Sequence, residues 1–135
     1  MVGNHFFIGL SERTNKDGAA QLVSLLEDAG HSSETIPVAV GLHLKSGVNF
    51  VGNDTLLVIK ALADYPAFSK YEKILLDAGE EYASNTLWVN GTLLMPTGFP
   101  ITHARLSHLG MNIIELDVSE VQKMDGGLTC MSLRF

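Results

Sequence analysis

Apolar residues fall into short runs along this chain, separated by turn-forming residues, and the runs recur in one order. Val2-Gly3-Asn4-His5-Phe6-Phe7-Ile8, Val51-Gly52-Asn53-Asp54-Thr55-Leu56-Leu57-Val58 and Val89-Asn90-Gly91-Thr92-Leu93-Leu94-Met95 each set an Asn-containing tight turn before an apolar strand. Gly and Asn tolerate the positive φ that such turns need, and the second and third turns also follow strand-like runs at residues 48–51 and 86–89, so both predict β-hairpins. A helical pattern comes after each. Asn15 or Asp17 is placed to cap a helix whose apolar stripe is Ala19, Leu22, Val23 and Leu26 and which Gly30 ends, ahead of a strand at residues 35–40. A second helix is expected over residues 66–78, with Phe68, Tyr71, Ile74 and Leu75 on one side and Gly79 as its stop. A third, at residues 102–109, ends at Gly110 and leads to a strand at residues 112–118. The repeating unit is ββαβ, which makes the fold class α/β, and a last strand at residues 128–135 is expected to close the chain.

The first unit starts at its turn. Its strand, residues 6–10, is therefore expected to present an unpaired edge, which proteins cover or charge because it recruits other strands. Pairing with another chain and covering by the protein's own loops are both open.

Composition narrows the class. With 135 residues, 46% apolar side chains and 18% charged ones, the chain reads as one compact domain, residues 1–135, able to bury a core without disulfides or a structural metal. A net charge of -6, from 9 Lys and Arg against 15 Asp and Glu with no basic run, has the wrong sign for a phosphate backbone, so no nucleic-acid partner is expected. The apolar runs are too short for a membrane span, and the start lacks the basic n-region and h-region of a secretory signal. A cytoplasmic location follows as the expectation.

Cys130 is the only cysteine, and Asp125-Gly126-Gly127 shortly precedes it, so backbone can approach closely there. A nucleophile fits such a place; a small buried apolar residue is the alternative. A thiol attacking carbon needs a base or cation to hold it as thiolate and an acid for the leaving group, which turns attention to the five histidines. His31 follows a helix stop and His5 adjoins a turn. His103 and His108 are not spaced i, i+4 as a helical zinc pair would be, so no metal site is expected. His43 differs. It lies in Val40-Gly41-Leu42-His43-Leu44-Lys45-Ser46, a glycine-flanked connection between a strand and the next hairpin, where functional side chains concentrate. A hydrogen-bonded core histidine between leucines is the structural alternative.

These residues also match a family. Gly41-Leu42-His43-Leu44-Lys45-Ser46 and Asp125-Gly126-Gly127-Leu128-Thr129-Cys130-Met131-Ser132-Leu133-Arg134-Phe135 closely resemble the histidine and cysteine motifs of dimethylarginine dimethylaminohydrolases, members of the guanidino-modifying superfamily that includes arginine deiminases and amidinotransferases. Phe7-Ile8-Gly9-Leu10-Ser11-Glu12-Arg13-Thr14-Asn15, Tyr82-Ala83-Ser84-Asn85 and Trp88-Val89-Asn90 resemble further segments of that family in fitting order and separation. The resemblance implies a pentein fold, an α/β propeller whose ββαβ units ring a substrate channel, here partial and built of about two and a half to three units. It implies that Cys130 attacks a guanidinium carbon and that His43 serves as acid and then base, giving citrulline and dimethylamine through a thiouronium intermediate without metal or organic cofactor. Arg13 is aligned to hold the substrate's α-carboxylate, and Met124 to offer a backbone carbonyl near the substrate. Dimethylarginine or arginine is the implied small-molecule partner.

Members of the family are much longer, and this chain resembles their C-terminal half, its Met1 falling just after an acidic Gly-Gly-Asp type segment. The carboxylates that clamp the guanidinium and the first units of the ring are then expected outside the chain. A charge-assisted hydrogen bond contributes roughly 1.5–3 kcal/mol, so losing several lowers affinity by powers of ten. Asp17, Glu80 and Glu81 do not stand at matching positions. Two readings of function follow. The chain is part of a guanidine hydrolase, incomplete or inactive alone and active with a chain supplying the missing half, or a fragment of an arginine deiminase-like enzyme. Otherwise it is a non-catalytic truncated pentein module that self-associates or binds a small ligand. A homo-oligomer fits either reading.

Overall fold

The computed structural model describes residues 1–38 and 41–133. It contains three copies of one unit: strands, a crossover segment, and a strand returning parallel to its predecessor. In the first, β1 (His5–Leu10) leads through α1 (Lys16–Asp28) to β2 (Ser32–Pro37). The second holds the hairpin β3 (Val48–Phe50) and β4 (Thr55–Val58), then β5 (Glu72–Leu75). The third holds the hairpin β6 (Leu87–Val89) and β7 (Thr92–Pro96), then α2 (Pro100–His108) and β8 (Asn112–Leu116), with a short α3 (Ser119–Gln122) after it.

Turn chemistry sets the hairpins. Asn53 and Asp54 (φ 47° and 53°) and Asn90 and Gly91 (φ 49° and 73°) occupy the left-handed region at the tips, conformations that short polar residues and glycine accept most easily. The first unit has the same turn, closed by an antiparallel bridge between Val2 and His5. Among the described residues, however, its sheet has two strands where the others have three. No strand among the described residues pairs with β1 on the side away from β2 in the way β3 pairs with β4 and β6 with β7.

The core lies between units. All of β4 is buried, and its alternating side chains divide between two clusters. Leu56 and Val58 join Ile36, Leu44, Phe68 and Tyr71 on the side of the first unit; Leu57 joins Leu93, Met95 and Leu106 on the side of the third. Sheets that share a strand's two faces in this way stack like blades.

Three expectations need correction. Residues 66–78 are not a helix: Pro66–Phe68 forms one 3₁₀ turn and Glu72–Leu75 is β5. The second edge of β4 carries backbone groups in a buried setting, and β5 satisfies them in parallel register from Thr55↔Glu72 to Val58↔Leu75. Only residues 59–71 remain for the crossover, and two 3₁₀ turns fill it while burying Leu62 and Phe68. Residues 128–133 do not form a strand either. Met131 N–H donates to the Gly127 carbonyl and Ser132 N–H to that of Thr129, so the amides a ladder would use are spent in a local turn. Arg134 and Phe135 lie outside the described residues. The strand expected at residues 35–40 begins earlier, at Ser32, because the register with β1 starts at His5↔Ser32, and Ala39 and Val40 lie outside the described residues.

α1 is capped by Asn15, whose side chain accepts from Gly18 N–H, and ends at Gly30 (φ 80°). Of its expected stripe only Ala19 is buried; Leu22 is 42% exposed, as is Leu25, at 67%, on the same helix. The first unit is thus thinly covered on two sides.

Candidate active site

Three loops at the strand ends carry the candidate residues, and side-chain hydrogen bonds tie the histidine loop to each of the other two. The first runs from β1 through Ser11–Thr14, an antiparallel bridge that places Arg13 at an exposed turn. Ser11 Oγ turns back to accept from Arg13 N–H at 3.1 Å and donates to the Leu42 carbonyl at 2.8 Å. The Arg13 turn is thereby fixed to the residue before His43.

His43 is exposed and extended (φ -133°, ψ 137°), just ahead of the 3₁₀ turn Leu44–Ser46. Ser46 Oγ and N–H both donate to its carbonyl, at 2.7 and 3.1 Å, which sets the backbone from which the imidazole projects. Leu44 is buried against β1, where a side chain at Gly9 would come within 2.8 Å of Leu44 Cβ. A glycine there lets the strand end approach the histidine segment.

The Cys130 segment follows α3. Met124 stands 76% exposed in the turn behind that helix, and Asp125 (φ 58°) reverses the chain into Gly126 and Gly127. A Cβ on Gly126 would lie 2.6 Å from Val121 Cγ1, and one on Gly127 2.9 Å from Asn85 Oδ1, so both glycines are dictated by close approach. Cys130 is exposed and reduced.

Residues 80–86 form a fourth loop, which links the histidine and cysteine loops. Tyr82 hydroxyl donates to the Gly126 carbonyl at 2.6 Å, and Ser84 Oγ to the Ser46 carbonyl at 2.6 Å. Thr86 carbonyl accepts from Lys45 Nζ at 3.1 Å and from Asn49 Nδ2 at 2.6 Å. Lys45 Nζ also donates to Thr129 Oγ1. One short segment therefore holds the histidine loop through Ser46 and Lys45 and the cysteine loop through Gly126 and Gly127. Burial, and secondly the charge of Cys130, push the Tyr82 hydroxyl above its ordinary pKa.

His43, Cys130, Arg13 and Met124 stand out in the sequence, but the residues that tie their loops do not. Lys45 lies in the Gly41–Ser46 motif and Tyr82 in the Tyr82–Asn85 segment, yet no periodicity marks a residue whose partners lie far along the chain. Glu80 is a further case: its carboxylate accepts from Ile101 N–H, Thr102 N–H and Thr102 Oγ, which makes it the cap of α2. Among the described residues no three His, Cys, Asp or Glu side chains group closely enough to hold a metal ion. No helix among them is long and apolar enough to cross a membrane.

Comparison with known proteins gives these loops a context. No family model matches the chain. A dimethylarginine dimethylaminohydrolase of Pseudomonas aeruginosa is 42% identical over 135 residues, covering all of this chain and 53% of the relative. The solved structure of a cysteine-to-serine variant of that organism's enzyme, in complex with citrulline, superposes with a TM-score of 0.96 at 41% identity, over 100% of this chain and 53% of the other. An amidinotransferase of Microseira wollei shares the fold alone, with a TM-score of 0.83 at 16% identity over 97% of this chain and 44% of its own. The chain spans about half the length of the relatives it matches. Over its whole length it is homologous to the dimethylarginine dimethylaminohydrolases, and its three stacked units are a truncated pentein.

Proposed function

We propose that the chain carries the cysteine and histidine of a guanidine-directed C–N hydrolase, corresponds to the C-terminal half of such an enzyme, and acts on dimethylarginine when the ring is completed. The hydrogen bonding that gathers the His43 and Cys130 loops on residues 80–86 carries this reading. In it the Cys130 thiolate adds to the guanidinium carbon, and the His43 imidazolium gives its proton to the dimethylamine nitrogen as that C–N bond breaks. His43, now neutral, takes a proton from water as the oxygen adds to the thiouronium carbon; the C–S bond then breaks, leaving citrulline and the thiolate. Arg13 pairs with the α-carboxylate, a task that suits a forked guanidinium. The Met124 carbonyl accepts from a guanidinium N–H.

In this reading a second chain completes the ring along the edge of β1 that β2 leaves unpaired. A cavity of about 400 Å³ adjoins it, lined by Val2, Phe7, Leu44, Lys45, Phe50 and Trp88 among others. A strand supplied there by a second chain would pair antiparallel with β1 as β3 pairs with β4. Light scattering is expected to show association of the 135-residue chain, and a monomer at every concentration counts against this part.

The chemistry is tested by alkylation with 2-chloroacetamidine, whose cation imitates a guanidinium and whose chloride leaves as the sulfur bonds to carbon. Selective labelling of Cys130, slowed in His43→Ala, is expected. Labelling of Cys130 only after denaturation overturns the reading. Alone, the chain is expected to form little citrulline, and turnover abolished by Cys130→Ser would refute that expectation.

A further inference from the structure

We propose that Lys45 is a positioning residue, its ammonium bracing the His43 loop against the Cys130 loop so that imidazole and thiol face one guanidinium carbon. The inference rests on the hydrolase reading above and gives Lys45 a positioning task rather than a chemical one.

The geometry is that of a strut. Lys45 stands two residues beyond His43, in the 3₁₀ turn whose first residue, Leu44, is buried and cannot shift freely. Its side chain leaves that turn to reach the Thr86 carbonyl at 3.1 Å and the Thr129 hydroxyl, and Thr129 is the residue before Cys130. Other ties pass through residues 80–86: Ser84 holds the histidine loop, Tyr82 the cysteine loop. Lys45 alone among these side chains bonds to both sides. A lysine head ordinarily stays in bulk water and loses much rotamer freedom when fixed, so one held half-buried on the Thr86 carbonyl and the Thr129 hydroxyl ties the two loops across its own length. Thr86 is itself fully buried and accepts from Asn49 as well, which makes the far anchor rigid.

Positioning predicts a pattern that stability alone does not. Lys45→Met keeps the aliphatic stem and removes the donors; Thr129→Val keeps the shape and removes the acceptor beside Cys130. Each is expected to slow alkylation of Cys130 by 2-chloroacetamidine on the order of ten- to a hundredfold, the scale of a small misplacement of reacting groups. Alkylation by neutral iodoacetamide, which needs only an accessible thiol, is expected to hold its parental rate. The double variant is expected to be no slower than either single one, since both cut the same brace. Lys45→Arg, still a cationic donor, should recover most of the rate. The proposal is overturned if Lys45→Met and Thr129→Val react with the amidine at the parental rate, or if both reagents slow equally. His43→Ala separates the two levels: if it leaves amidine labelling unchanged, the hydrolase reading fails; if it slows labelling while the Lys45 and Thr129 variants do not, only the brace fails.

Discussion

Glu80 offers the sharpest test of how the linking segment is held. Its side chain is buried, and it accepts from Ile101 N–H at 3.0 Å, Thr102 N–H at 2.7 Å and Thr102 Oγ at 2.6 Å. α2 has Phe99 as its N-cap with no side-chain acceptor, so this distant carboxylate does the capping and sets a negative charge on the helix's positive end. Ile101 is exposed and Thr102 is buried, so in Glu80→Ala the main cost is the Thr102 amide and hydroxyl left without an acceptor, at about 1–3 kcal/mol each. The expected loss is about 3 kcal/mol, or a fall in Tm of about 10 °C. Glu80→Gln retains one acceptor oxygen, gives up the charge and turns an amide NH₂ toward a donor, for about 1–2 kcal/mol. Burial raises the carboxyl's pKa, yet the Thr102 hydroxyl, the two amides and the Arg105 charge outweigh it, leaving the group below its ordinary 4.5. A depressed folded value means that the stabilisation is complete above 4.5 and fades as pH falls through the lower folded pKa. Urea unfolding followed by circular dichroism across the acid range should show the parent losing stability below that pH more steeply than Glu80→Gln, the two curves converging in acid. A Glu80→Gln midpoint equal to the parent's at neutral pH, or equal acid slopes, would refute the reasoning.

Other substitutions probe the remaining joints. Gly52→Ala places a Cβ 2.7 Å from the Trp88 ring at φ 95°, and is expected to lower the urea midpoint sharply. Gly3→Ala shares a positive φ of 54° but meets nothing within 4 Å, so its cost should stay near that of the backbone alone, about 1 kcal/mol. Equal losses at the two sites would show that contact with Trp88 is unimportant. Phe68→Ala empties a fully buried ring site that β5 and the 3₁₀ crossover depend on, for about 3–5 kcal/mol by urea unfolding. Tyr82→Phe deletes the bond to the Gly126 carbonyl, at about 1 kcal/mol, and should speed amide exchange in residues 126–132 while leaving β1 unaffected; protection unchanged there would show that the phenol does not hold that loop.

Much of the fold was legible because its punctuation is local. The Asn and Gly turns, the Asn15 cap and the stops at Gly30 and Gly110 each depend on a few adjacent residues, and each marks an element end. The helix expected at residues 66–78 failed for a non-local reason. Phe68, Tyr71, Ile74 and Leu75 have helical spacing, but β4 offers a buried, unpaired edge that only a strand can satisfy, and tertiary demand overrides pattern there. The terminal strand failed the other way, since the Met131 amide closes a turn on Gly127 and the Ser132 amide one on Thr129. At the candidate site, Cys130 and His43 stood out by chemistry and setting. Lys45, Tyr82 and Ser84 did not, because what they do is defined by which loop lies opposite, and one sequence read along its length does not show opposition.

That opposition also connects the unpaired edge of β1 to the chemistry. Leu44 and Lys45 belong at once to the cavity beside β1 and to the turn that follows His43. β3, with Val48 and Phe50 in the same wall, runs from that turn toward the hairpin, and the Asn49 amide ties it to Thr86. A strand seated along β1 would therefore pack on the stem of Lys45 and on Leu44, pressing the histidine loop toward residues 80–86 rather than merely covering apolar surface. Assembly and reactivity are mechanically linked on this view: filling the cavity should raise the rate at which 2-chloroacetamidine labels Cys130, and the gain should vanish in Lys45→Met, where the stem remains but the brace it would tighten is gone. If association raised labelling as much in Lys45→Met as in the parent, the link would run through some other contact.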